Sequence, residues 1–102
     1  MNKFFPEVNK NFGFGCMRFP TAGGKIDEKQ VCEMFDLFLK SGFNYFDTAH
    51  GYHRGLSEKA IKNCLTSRYP RSAYVLTDKL TDPYFNKRED IRPFFMRQLQ
   101  TC

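Results

Sequence analysis

A helix that stops next to a strand constrains this chain more than any other feature. From Asp27 onward, Val31, Met34, Phe35, Phe38 and Leu39 recur at helical spacing and form one apolar face, and Gly42 supplies the stop. Asp27 can cap the first turn, Gln30 holds the capping-box position, and Ile26 and Val31 are spaced for a hydrophobic staple. Glu28, Lys29, Glu33, Asp36 and Lys40 lie largely off that face, so the aromatic stripe is a packing surface. Phe43 to Asp47 follows, too short for a helix and rich in strand formers. With a strand-forming segment ahead of the helix, this order is the parallel crossover unit.

The pattern continues on both sides. Lys3-Phe4-Phe5-Pro6 and the turn-prone Asn9-Lys10-Asn11 fit a small hairpin, and Phe12 to Phe19 contains a strand ending near Met17. Gly13 and Gly15 weaken a strand, which points to close approach of another group or to a structural need. Without a third glycine opening a helix, they are not a dinucleotide fingerprint. Residues 20–26 read as a loop. After His50 to Leu56, Ser57 is placed to cap a second helix reaching about Tyr69, with Ala60, Ile61, Cys64 and Leu65 inward and Pro70 ending it. Ala73 to Thr77 reads as a third strand. A last helix carries Ile91, Phe94, Phe95 and Leu99 on one face; a start capped by Asp90 puts Pro93 harmlessly in the first turn. Three strand-helix units fit half of a doubly wound sheet or three eighths of a barrel, and periodicity does not choose.

Composition closes off several function classes. The 102 residues make one small domain, 1–102, with no interdomain linker. The net charge of +5 is spread along the chain without a basic stripe, which argues against nucleic acid but suits a phosphate-bearing cofactor. No run of about eighteen apolar residues spans a membrane. Cys16, Cys32, Cys64 and Cys102 form no close pair and follow no signal peptide, so four reduced thiols in a cytoplasmic protein are expected. His50 and His53 lie three apart in a loop near Asp47 and Glu58, too nonspecific for a metal site, and no metal is expected. Glu58 reads as a helix-dipole complement.

Asn44 to Tyr52 is the stretch where chemistry is expected. It puts Asp47 at the end of a short apolar run and Tyr52 beyond a glycine turn, and sites on α/β sheets gather at the carboxyl ends of strands. Phe14-Gly15-Cys16-Met17-Arg18-Phe19-Pro20, Gly42-Phe43-Asn44-Tyr45-Phe46-Asp47-Thr48-Ala49, Tyr52 with Gly55-Leu56-Ser57-Glu58, and Leu76-Thr77-Asp78-Lys79-Leu80 together resemble the amino-terminal part of an aldo-keto reductase. The resemblance covers the chain in order, and its Cys-Met-Arg-Phe-Pro segment is similar to a bacterial branch that often carries a carboxyl-terminal iron-sulfur module. It implies the first three βα units of a (β/α)8 TIM barrel preceded by a short N-terminal β-hairpin. It also implies reduction of a small carbonyl substrate with NADPH. By motif match Asp47, Tyr52 and Lys79 stand for three catalytic residues, and Gly15, Met17 and Asp47 border the cofactor. The family's fourth-strand His and its main NADPH phosphate site have no counterpart here. An inactive fragment with open sheet edges, prone to self-association, is therefore expected.

Those residue types suit that chemistry. A carbonyl accepting hydride becomes an alkoxide that needs a proton. A free tyrosine titrates near pH 10, and a lysine ammonium beside a phenol favours its phenolate. An aspartate paired with the lysine keeps the ammonium charged and in place. Singly, each residue has an ordinary structural reading, as packing tyrosine, solvated lysine or turn-capping aspartate. Only the joint match assigns roles.

Overall fold

The computed structural model describes residues 5–80 and 86–102. Strand β1 (Gly13–Gly15) leads into a hairpin of β2 (Thr21–Ala22) and β3 (Lys25–Ile26), then helix α1 (Glu28–Lys40) and strand β4 (Tyr45–Asp47). A 3-10 turn at Tyr52–Gly55 opens helix α2 (Leu56–Ile61), which widens into a π-helical turn over Lys62–Thr66. Strand β5 (Val75–Thr77) and helix α3 (Ile91–Thr101) complete the chain. The strands β1, β4 and β5 form one parallel sheet in that order.

Register decides what each sheet face carries. Phe14, Phe46 and Leu76 are mutual partners, as are Gly15, Asp47 and Thr77. Side chains alternate along a strand, so the first row meets the helices and the second lies on the opposite, open face. Phe46 is fully buried, with its ring 4.9 Å from Phe35 and 5.2 Å from Phe38. Val31, Ala60, Ile61, Cys64 and Leu65 complete the layer between sheet and helices.

Helix α1 begins and ends as its sequence dictates. The Asp27 carboxylate accepts from the Gln30 N–H at 3.2 Å. At the other end Gly42 adopts φ +96°, its N–H reaching the Leu39 carbonyl at 3.0 Å while Phe43 N–H reaches Phe38 at 3.2 Å. This is a Schellman closure, completed by stacking of the Phe38 and Phe43 rings at 5.1 Å.

Five expectations need correction. No strand occurs in residues 5–12, and residues 1–4 of the expected N-terminal hairpin lie outside the described residues. Pro6 supplies no donor, and the Asn44 side chain takes up this segment by accepting from Asn9 N–H and donating to the Glu7 carbonyl. The hairpin falls instead at residues 21–26, read as a loop, because Gly23 and Gly24 both take positive φ and make the tight turn that strand twist favours. Cys32 and Cys64 are joined by a disulfide between α1 and the π-helical turn, correcting the four free thiols; the 32-residue separation hides their juxtaposition. Ser57 does not cap α2, whose N-cap position is Gly55. Finally, α3 starts after Asp90, as expected, but buries Phe94 and Gln98 while Phe95 and Leu99 stay exposed.

Candidate active site

The carboxyl ends of β4 and β5 bring three distant side chains to one point. Parallel pairing aligns Asp47 with Thr77, so Lys79, two residues on, emerges on the same face as Asp47. Its Nζ donates to Asp47 Oδ1 at 3.0 Å, to Asp47 Oδ2 at 2.9 Å, and to the Tyr52 hydroxyl at 2.9 Å. A fourth contact reaches the Thr48 carbonyl at 3.3 Å. Burial of Lys79 works against its charge, but the hydrogen bonds to Tyr52 and Asp47 and the Asp47 charge outweigh it and hold its pKa above the usual lysine value. The ammonium is therefore fixed as a cation touching a phenol oxygen.

Tyr52 reaches that position through an unusual loop. His53, Arg54 and Gly55 take φ of +51°, +56° and +87° in succession. Left-handed backbone costs about 1–2 kcal/mol per residue when a side chain is present. His53 offsets the cost with two contacts: its Nε2 accepts the Phe19 N–H at 2.9 Å and its ring stacks on Phe19 at 5.6 Å. Below the loop, Ser57 Oγ donates to the Cys16 carbonyl at 3.0 Å and lies 2.8 Å from Thr48 Oγ1, tying β1, the β4 exit and α2 together.

Gly15 pairs with Asp47 in the sheet, and a Cβ built on it would meet nothing within 4 Å. Gly13 differs, since its Cβ would press on the Tyr45 ring at 2.9 Å. The Gly13 backbone is thus shaped by packing, whereas Gly15 leaves flat open surface beside the carboxylate. Met17 stands 54% exposed just beyond it.

Behind Lys79 lies a polar cluster that sequence reasoning missed. Glu58, 1% exposed, bonds His50 Nδ1 at 3.0 Å and accepts from Gln98 Nε2 at 3.0 Å. It keeps the expected place in the first turn of α2, but buried rather than facing solvent. Burial opposes its charge, but hydrogen bonds from Asp78, Gln98 and His50 prevail and keep its carboxyl below the usual range. Asp78 is pushed up to about 7, by burial first and then by Glu58. Burial likewise raises the Cys102 thiol, which donates to Asp78, to about 12. A glutamine on an otherwise apolar helix stripe was the one available signal of this cluster.

Comparison with known proteins follows the same lines. Residues 11–102 match the Aldo/keto reductase family. The chain is 32% identical over 80 residues to norsolorinic acid reductase B of Dothistroma septosporum, covering 74% of this chain and 20% of that protein. It is 32% identical over 68 residues to an aryl-alcohol dehydrogenase of Saccharomyces cerevisiae, covering 67% of this chain and 31% of the relative. A solved aldo-keto reductase from Pseudomonas aeruginosa superposes with a TM-score of 0.70 at 22% identity, over 94% of this chain and 41% of that one. The chain therefore spans less than half the length of these relatives.

Proposed function

Because the chain belongs to the aldo/keto reductase family, we propose that Asp47, Tyr52 and Lys79 are its contribution to an NADPH-dependent carbonyl reductase. The observation that carries this reading is the single Nζ of Lys79 within 3.0 Å of both Asp47 oxygens and the Tyr52 hydroxyl. Tyr52 donates the proton as general acid to the carbonyl oxygen of a small aldehyde or ketone. Lys79 stabilises the phenolate left behind, and Asp47 holds Lys79 in place and balances its charge. NADPH, when bound, supplies hydride to the carbonyl carbon. Gly15, Met17 and Asp47 border the nicotinamide end, supported by the open surface at Gly15.

The chain represents the first three βα units of a (β/α)8 barrel in this reading. The family's fourth-strand histidine and most of its cofactor-phosphate site belong to later units. We expect no carbonyl-dependent NADPH oxidation and no tight NADPH binding from these 102 residues alone. Joined to the later units of a relative, the chain should turn over an aldehyde, and Tyr52→Phe should lower the rate by about 10²–10⁴-fold. Turnover that survives Tyr52→Phe unchanged would remove Tyr52 from the acid's role. The bacterial origin suggested by the Cys16-Met17-Arg18-Phe19-Pro20 segment stays part of the proposal, since the curated relatives named above are fungal. A second reading, a non-catalytic self-associating module, is favoured by the open apolar side of α3.

A further inference from the structure

Lys79 is gripped at both ends of its own backbone, and one grip comes from another helix. Its N–H donates to Asp78 Oδ1 at 2.8 Å, within the same turn. Its carbonyl accepts from Gln98 Nε2 at 2.9 Å, across 19 residues of sequence. The same nitrogen donates to Glu58 Oε2 at 3.0 Å. A carboxamide nitrogen carries two protons, so Gln98 can serve both acceptors at once.

The burial of these groups makes the arrangement costly to alter. Gln98 is 5% exposed and Glu58 1% exposed. A buried amide left without partners costs about 1–3 kcal/mol, and a buried carboxylate more. Phe94, one turn earlier in α3 and buried against the His50 ring, already supplies an apolar anchor for the helix. Docking of α3 alone would be met by a leucine at position 98. What the amide adds is a hold on the peptide from which the Lys79 side chain departs.

We infer that Gln98, anchored by Glu58, is a positioning residue for Lys79, fixing the backbone carbonyl so that Nζ stays between Asp47 and Tyr52. The inference rests on the reading that these three residues form the reactive set. The Lys79 side chain is 38% exposed, so packing does not hold it, and its long methylene stem amplifies any rotation of the peptide. Without the Gln98 bond the carbonyl turns toward water, and the ammonium loses time in contact with Asp47 and Tyr52. Those contacts are what keep the Lys79 pKa raised, so its titration reports them.

The test is an NMR titration of the full chain carrying ¹³C,¹⁵N-lysine, with the Lys79 signal assigned through Lys79→Arg. Gln98→Met keeps the length of the side chain and removes both donors. Its Lys79 midpoint should fall toward the ordinary lysine value while the circular-dichroism spectrum stays that of the wild type. A folded Gln98→Met with an unmoved Lys79 midpoint overturns the inference. Where Gln98→Met does not fold, the wild-type carboxamide decides: slow solvent exchange of both Gln98 Nε2 protons supports the inference, and exchange at the rate of a free side-chain amide overturns it. No turnover is read in either measurement, so the reductase reading and the positioning role can fail separately.

Discussion

Ser57 carries more of the structure than its size suggests. Both it and Thr48 are fully buried, and their hydroxyls, with the Cys16 carbonyl, satisfy one another across three elements. Ser57→Ala leaves two polar groups buried without that partner, and should cost about 1–3 kcal/mol in a urea melt. Asp78 makes a different demand. Its carboxyl is raised from 3.8 to about 7, first by burial and next by Glu58, so the folded state holds the proton more tightly than the unfolded chain does. Its contribution to stability is complete below the unfolded value and is lost as the pH rises through the folded one. Asp78→Asn should therefore flatten the fall in stability between about pH 4 and pH 7, measured by urea melts at stepped pH. Glu58 works in the opposite sense, its contribution being lost as pH falls, which a matching Glu58→Gln series separates.

At the scale of elements, α1 was legible in the sequence because both its ends are decided locally. Asp27 accepts from the Gln30 N–H and Gly42 takes the left-handed turn as their chemistry prescribes, whereas the Asp27 N–H goes to the Pro20 carbonyl, so the capping box is one-sided. Gly42→Ala should cost about 1–2 kcal/mol, since φ +96° suits no residue with a Cβ and Lys10 already crowds the space at 3.1 Å. The inward residues of α2 were legible for the same periodic reason. The disulfide was not, because Cys32 and Cys64 meet only once two helices pack side by side. Cys64→Ser should lower stability by about 2–4 kcal/mol, and a reductant should lower the melting temperature of the wild type but not of that variant. The apolar face of α3 was misread for a related reason. Phe94 and Phe95 are adjacent in sequence, and only the position of β5 and α2 tells which of them turns inward.

Across the whole molecule, the three residues proposed as the reactive set were legible as a resemblance and their supports were not. Asp47, Tyr52 and Lys79 stand in recognisable local motifs, whereas Glu58 and Gln98 acquire meaning only through their contact across 40 residues. Among the described residues, the three-stranded sheet has β1 and β5 at its edges. Beside β5 lies a groove of about 460 Å³ in which the apolar Tyr74, Leu76, Leu80, Phe95 and Leu99 meet the polar Arg71, Asp78, Lys79 and Gln98. Apolar surface next to an unpaired parallel strand favours association. Sedimentation of the 102-residue chain should show concentration-dependent species larger than a monomer, and Leu99→Lys should shift them toward monomer. A wild-type chain that stays monomeric at all concentrations counts against this.

The three short strands pair over three residues each, so their backbone bonds distinguish poorly between neighbouring alignments. Sliding β5 by one position against β4 would turn Lys79 to the helix side and leave the Asp47 carboxylate without its ammonium. The Phe46 and Leu76 row would be broken in the same slip. The groups assigned to proton transfer thus double as an alignment check, accepting one strand offset and penalising its neighbours. Charge-neutral substitution of Asp47 would be felt during folding, as misaligned chains, before it was felt in any reaction.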